Sequence, residues 1–199
     1  MVHAVSKATA AAVATAILMA SLVAMPAPNA QASSSPSRIE TTEAAAPEVG
    51  GIEAAVYLPP GYDDADAAYP SLYLLHGRGD TLAAWQRVAG TLDALIADGS
   101  IPPMVVVMPD APWNDRGSWY TDSAYTGDAP SGPGLPIETA MAEDLVAHVD
   151  ATYRTVADRS ARAVGGYSMG GAGAMRLVLA HQDVFSAAIL LAPAVYAPQ

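Results

Sequence analysis

The chain has no cysteine among its 199 residues. That excludes a disulfide framework, a thiolate zinc site, a cysteine nucleophile and a lipid-modified N-terminal cysteine. Cations are scarce: nine Lys and Arg stand against 20 Asp and Glu, a formal net charge of -11 at pH 7. Such a chain has no cationic excess to displace phosphate counterions, which argues against nucleic acid as a partner. Only 15% of the residues are charged, and Phe occurs once. No internal repeat is visible, so solenoids and propellers drop out. Other familiar chemistries lack their signatures as well: there is no H-E-x-x-H, no Walker A and no dinucleotide G-x-G-x-x-G after the first strand. What is abundant is apolar surface. With 52% hydrophobic residues the chain is too apolar for disorder and long enough for one domain with a real core.

The apolar content is unevenly spread. Lys7 is the only lysine, and the next charged residue is Arg38. Between them runs Ala8–Met25, followed by Pro26, Pro28 and the A-x-A of Ala30-Gln31-Ala32. A cation, an apolar run and a small-residue cleavage site make a secretory leader, with cleavage expected after Ala32. The alternative is an uncleaved membrane anchor, but alanine-rich runs are weakly hydrophobic and the A-x-A lies where cleavage needs it. The expected location is therefore secreted, with no stable membrane insertion once the leader is gone. Residues 33–50 are rich in Ser, Ala and Pro, lack periodicity and read as a flexible linker.

From Gly51 strands and helices alternate. Ile52–Leu58 ends in Pro59-Pro60-Gly61, and Ser71–Leu75 and Met104–Met108 are continuous apolar runs. Leu82, Trp85, Val88, Leu92 and Leu95 recur at helical spacing before Gly99, and Ile137, Met141, Leu145 and Val149 recur every four residues. Ala161–Gly165 reads as a strand, Gly170–His181 as a helix and Ala187–Leu191 as another buried strand. The pattern predicts an α/β fold with a mostly parallel sheet covered by helices on both faces. Ligands of such sheets bind beyond the carboxyl ends of the strands, here just after Leu75, Met108 and Gly165.

After the last of these lies Gly166-Tyr167-Ser168-Met169-Gly170-Gly171. G-x-S-x-G between strand and helix is a nucleophile elbow, in which a serine sits at the tip of a strained turn. The following helix turns its free N–H groups toward a developing oxyanion, and the Met169 N–H is one natural donor. Composition alone would produce the spacing about once in ten such chains, so the strand–helix context carries much of the weight. A plain glycine-rich turn is the bland alternative. The loop His76-Gly77-Arg78-Gly79-Asp80 follows an earlier strand and offers backbone N–H groups to the same place. Trp85 at helical spacing reads as core, whereas Trp113 and Trp119 fall in a polar loop and are better binding candidates.

Four segments share a resemblance: Tyr57–Tyr62, Tyr73–Gly77, Gly117–Asp122 and Gly165–Gly171. In sequence and order they resemble the esterase family of α/β-hydrolases that contains esterase D, feruloyl and other carbohydrate esterases, and the antigen 85 mycolyltransferases. The resemblance covers roughly residues 51–199. It implies Ser168 as nucleophile, the Met169 and Arg78 amides as oxyanion hole, and no metal or organic cofactor. It also places Trp119–Asp122 at the rim, with His76, Gly77, Tyr120 and Tyr167 as further substrate-lining candidates. The implied substrate is a small-molecule, polysaccharide or envelope ester. Acyl transfer of the antigen 85 type uses the same constellation, and a catalytically inert homologue that only binds is a third reading.

α/β-Hydrolases carry the acid and then the histidine after the nucleophile. After Ser168 only His181 and Asp183 follow in that region, at the far end of the elbow helix. At about 1.5 Å of rise per residue His181 lies beyond hydrogen-bonding reach of Ser168. Upstream, His76 reads as a loop-orienting histidine, His148 as a partly buried helix residue and Asp110 as a strand-end cap. The fold is therefore expected to be the N-terminal two-thirds of an esterase domain, incomplete at its C-terminus, with triad acid and histidine not present. Ala187–Leu191 is expected to form an apolar sheet edge that favours association.

Overall fold

The computed structural model describes residues 35–64, 66–111, 119–124, 126 and 133–195. The expected leader through Ala32, the loop Trp113 and the Gly117-Ser118 pair of the resembling segments lie outside them. Six strands form one sheet: β1 (Arg38–Ala44), β2 (Ile52–Leu58), β3 (Ser71–Leu75), β4 (Val105–Pro109), β5 (Arg162–Tyr167) and β6 (Ala187–Leu191). Their spatial order is β1-β2-β4-β3-β5-β6. β4, β3, β5 and β6 run parallel, while β2 is antiparallel to both β1 and β4.

Strand parity divides the core. Ala54, Val56, Leu58, Tyr73, Leu75, Val105, Val107 and Val164 point to one face, Ala55, Tyr57, Leu72, Leu74, Val106, Met108 and Ala163 to the other. Both sets are buried, which is why these strands read as unbroken apolar runs instead of alternating ones. The first face is covered by two helices. One is α2, a continuous run of Ile137–Thr139, a π-helical turn Ala140–Asp144 and Leu145–Thr152. The other is α3, Met169–Ala180. The periodic Ile137, Met141, Leu145 and Val149 all enter this core, as do Met169, Ala174 and Leu177. The second face receives Leu92 of α1 (Ala89–Ala97), flanked by half-buried Leu82, Trp85, Val88 and Leu95.

Two expectations need correction. Residues 33–50 do not form a flexible linker throughout: Arg38–Ala44 is β1, paired from Arg38↔Leu58 to Ala44↔Ile52. Ala44, Ala46 and Val49 are buried behind it. A sheet-edge strand buries few residues, so its composition stays polar. The helix expected from Leu82 onward is regular only from Ala89. Before that the chain makes 3-10 turns at Leu82–Ala84 and Gln86–Val88, the first capped by the Thr81 hydroxyl accepting from the Ala83 N–H. At the other end of the sheet β6 is the outer strand among the described residues, and Leu190 on it is 40% exposed. Among the described residues no helix is long and apolar enough to cross a membrane.

Candidate active site

β3 and β5 are direct neighbours, with Leu75 opposite Gly166, so the loop after β3 and the turn after β5 emerge side by side. Ser168 sits at that turn with φ 54° and ψ -118°, a conformation that costs a residue with a Cβ of order 1–3 kcal/mol. The Ser168 side chain makes no capping bond to the helix that follows. It is half-exposed.

The reversal is possible because two glycines vacate the inside of the turn. A Cβ on Gly166 would stand 2.5 Å from the Gly170 carbonyl, and one on Gly170 would stand 2.2 Å from the Leu75 oxygen. Both obstacles are backbone and cannot rotate away. α3, which begins at Met169, therefore starts hard against the end of β3.

The facing loop is held from below. His76 is fully buried, with Nδ1 2.9 Å from the Gly77 carbonyl. That oxygen only accepts, so Nδ1 carries a proton. Nε2 lies 3.1 Å from Asp110 Oδ1 and accepts from the Ala111 N–H, also at 3.1 Å. The Gly77 carbonyl accepts a second bond from the Asp80 N–H at 3.2 Å. The phenol of Tyr120 donates to the His76 carbonyl at 3.1 Å, and burial pushes its ionisation well above the ordinary tyrosine range. It remains a neutral donor.

Aromatic rings complete the surroundings. The Tyr167 ring lies so close over Gly77 that a Cβ there would meet its Cε2 at 2.8 Å. Trp85 packs edge-on against Tyr167, with centroids 5.5 Å apart, and its indole N–H donates to the Leu75 carbonyl at 3.0 Å. Trp119 and Tyr120 both have φ 54°. Tyr120 turns inward, where its Cβ would lie 2.7 Å from a Cβ on Gly173 of α3. Trp119 is half-buried against the core.

These positions sort the expected site residues. Ser168, Met169, Gly77, Arg78 and Tyr167 come together at the ends of β3 and β5. His76 and Tyr120 are corrected: both are 0% exposed and brace the loop from behind, so neither side chain lines an open site. His181 caps the far end of α3, with Nε2 3.2 Å from Glu138 Oε1, and Arg176 binds the other oxygen of that buried carboxylate. His148 Nε2 pairs with Thr42 Oγ1 of β1 at 2.7 Å. Asp110 anchors the end of β4 through its N–H to Glu53 O at 2.7 Å as well as facing His76. The sequence reading missed Trp85 as a site-adjacent residue, because its helical spacing accounts equally well for a core position. Among the described residues no group of three or more His, Asp and Glu is arranged to hold a metal ion.

A family model described as "Putative esterase" matches residues 50–198. An endo-1,4-beta-xylanase/feruloyl esterase of Xylanibacter ruminicola is 34% identical over 151 residues, 72% of this chain and 20% of that protein. Esterase Rv1288 of Mycobacterium tuberculosis is 30% identical over 141 residues, 67% of this chain and 27% of that one. Among solved structures, a ferulic acid esterase superposes with TM-score 0.71 at 28% identity, covering 82% of this chain and 61% of that chain. An S-formylglutathione hydrolase from Agrobacterium tumefaciens shares the fold, with TM-score 0.62 at 22% identity, covering 79% of this chain and 57% of that one. The chain thus spans a fifth to about a quarter of these curated relatives, by the printed shares of 20% and 27%.

Proposed function

The chain belongs to the "Putative esterase" family, and from that premise we propose that it is the elbow-bearing part of a secreted serine carboxylic-ester hydrolase. Ser168 is the nucleophile, and attack of its Oγ on an ester carbonyl yields an acyl-serine and an alcohol; water then releases the acid. The amides of Met169 and Arg78 hold the tetrahedral oxyanion. The acid and histidine of a full triad are not assigned to any residue of this chain.

The observation that carries the reading is the left-handed conformation of Ser168 at the end of β5, opposite the Gly77–Arg78 loop. A second observation supports the Arg78 assignment. The Gly77–Arg78 peptide bond is trans, so the Gly77 carbonyl and the Arg78 N–H point in opposite directions. With the carbonyl bonded to His76 Nδ1–H and the Asp80 N–H, the Arg78 N–H points away from His76 and is left for a substrate oxygen. His76 is thus a positioning residue.

The substrate class we propose is an aromatic acyl ester, such as a feruloyl group on a polysaccharide. The names of the relatives and the half-exposed Tyr167 and Trp119 support it. Export through the leader Met1–Ala32 would deliver the protein to such polymers outside the cell.

One experiment tests both location and chemistry. The exported protein is treated with a fluorophosphonate probe, and the labelled band is sequenced from its N-terminus. The expected result is a species starting at Ser33 whose label disappears in Ser168→Ala. A folded wild-type chain that takes up no label overturns the serine assignment, and a start at Met1 overturns the leader.

A further inference from the structure

The last residue of β6 and the three that follow it take hold of the elbow backbone. The Ser168 N–H donates to the Leu191 carbonyl at 3.0 Å, and the Ser168 carbonyl accepts from the Ala194 N–H at 2.9 Å. Both main-chain groups of Ser168, a residue held in a costly conformation, are therefore tied to a single four-residue stretch. Ser168 O also accepts the ordinary helical bond from the Ala172 N–H at 3.0 Å. The stretch is itself strained: Ala192, an L-residue with a Cβ, has φ 43°. It also lies very close to α3, since a Cβ on Gly171 would meet Pro193 Cα at 3.0 Å and the Leu191 oxygen at 3.1 Å. A Cβ there would also meet the Gly166 carbonyl oxygen at 3.1 Å, so the second glycine of the Gly170-Gly171 pair serves the elbow turn and this stretch together. It leaves room for this strap.

We propose that Leu191–Ala194 is a positioning element for Ser168, a backbone strap that fixes the φ and ψ of the elbow residue and so the direction of its hydroxyl. A residue held in a sparsely populated conformation relaxes unless its surroundings over-determine it. The turn glycines remove obstacles on the inside of the reversal but exert no pull on Ser168. The two bonds to the strap supply that pull. They cross between elements 23 and 26 residues apart in sequence, so they form only when β6 is docked beside β5. The proposal rests on the serine assignment only for its catalytic consequence; the clamp itself is a statement about the backbone.

The test separates these two parts. Ala194→Pro removes the N–H donor, Gly171→Ala keeps both donors but pushes against Pro193 and the Leu191 carbonyl that accepts from Ser168, and Ala194→Gly keeps the donor as the conservative control. Amide exchange of Ser168 reads the clamp, and the fluorophosphonate labelling rate reads the hydroxyl. Losing one backbone bond of this kind is expected to raise the Ser168 exchange rate and lower the labelling rate about three- to tenfold. The change should appear in Ala194→Pro and Gly171→Ala but not in Ala194→Gly, with the Tyr73 amide of β3 unaffected. Where a chromogenic ester is turned over, kcat falls with KM unchanged. Ser168 exchange that stays at the wild-type rate in both variants overturns the strap. If Ala194→Pro fails to fold, Gly171→Ala decides alone. A wild-type chain that takes no label but shows the exchange response upholds the strap and retires the serine assignment.

Discussion

The two ends of β3 and β5 are held by opposite means. At the carboxyl ends the contacts converge on main-chain atoms. Leu75 O abuts the place where a Gly170 side chain would be, Ser168 is tied to Leu191 and Ala194, and the Gly77 carbonyl is pinned by His76 and Asp80. At the amino ends, 15 to 20 Å away for strands of five or six residues, the contacts are made by side chains. Ser71 stands opposite Arg162 in the ladder. The Arg162 guanidinium donates to Asp150 at 2.5 Å and to the Val184 carbonyl at 3.1 Å, and Asp150 also accepts from the Thr155 hydroxyl at 2.6 Å. Burial pushes the Tyr73 phenol beside them far above its usual range, so it stays neutral. One end is organised by leaving Cβ atoms out around main-chain carbonyls, the other around the Arg162–Asp150 ion pair, beside which Ser71 Oγ, Tyr73 OH and Arg162 Nε are buried without a hydrogen-bond partner. The first arrangement keeps an open, strained serine; the second neutralises charge and closes the core.

The difference predicts opposite sensitivities. Adding one carbon should wreck the carboxyl end. In Gly170→Ala the new Cβ would face two carbonyl oxygens, at 2.2 Å from Leu75 and 2.6 Å from His76. Neither can move without dislodging β3 from α3. The expected loss is about 3 kcal/mol or more, at the top of the overpacking range, read as a fall in the urea midpoint at constant m-value. Tolerance of this substitution without loss of stability would show that the close approach is not real. At the amino end, removing a group is what should hurt. Arg162→Ala strands the Asp150 carboxylate, whose side chain is 17% exposed. A fully buried pair broken this way loses about 3–5 kcal/mol, and the partial access of water to Asp150 brings the expectation to about 2–3 kcal/mol. The fraction that remains folded should keep its wild-type labelling rate. A labelling defect larger than the folded fraction accounts for would dissolve the distinction between the two ends.

The carboxyl end was also far more legible in the sequence. A G-x-S-x-G turn is local: Gly166, Ser168 and Gly170 lie within five residues, and the requirement they meet is steric, so the motif names its own geometry. The apolar runs of β3 and β4 were legible for a similar reason, since a strand buried on both faces has no polar alternation to confuse it. The amino end gave no such signal. Arg162 finds Asp150 12 residues away and Val184 22 residues away, and Glu138 meets Arg176 and His181 across 38 and 43 residues. Each is an ordinary surface-type residue until the helices dock.

β1 was illegible for a third reason. Arg38-Ile39-Glu40-Thr41-Thr42-Glu43-Ala44 buries only Ala44 fully, so neither hydrophobicity nor periodicity marks it. The three β-branched residues Ile39, Thr41 and Thr42 were the available signal, and the charged neighbours masked it. Within the site the same limit applies. His76 was readable as a loop-orienting residue, but its complete burial was not. The strap at the end of β6 left no trace beyond a Pro in a short apolar stretch, because it acts through main-chain atoms that every residue has.

The smallest expected effect isolates the strain itself. Ser168 holds φ 54° with ψ -118°, a region open to glycine and costly to any residue with a Cβ. Ser168→Ala keeps the Cβ and therefore the strain, and should change stability by no more than about 0.5 kcal/mol while abolishing label. Ser168→Gly removes the Cβ. It recovers strain of order 1–3 kcal/mol and gives back roughly 0.5–1 kcal/mol through the greater freedom of glycine in the unfolded chain. A net gain of about 1 kcal/mol follows, worth a rise in Tm of roughly 2–4 °C at this size. No residue at the amino ends offers such a gain, because positions there are held in unstrained backbone by their side chains. If Ser168→Gly melts no higher than Ser168→Ala, the elbow stores no strain, and the strap from Leu191 to Ala194 is left with nothing to hold.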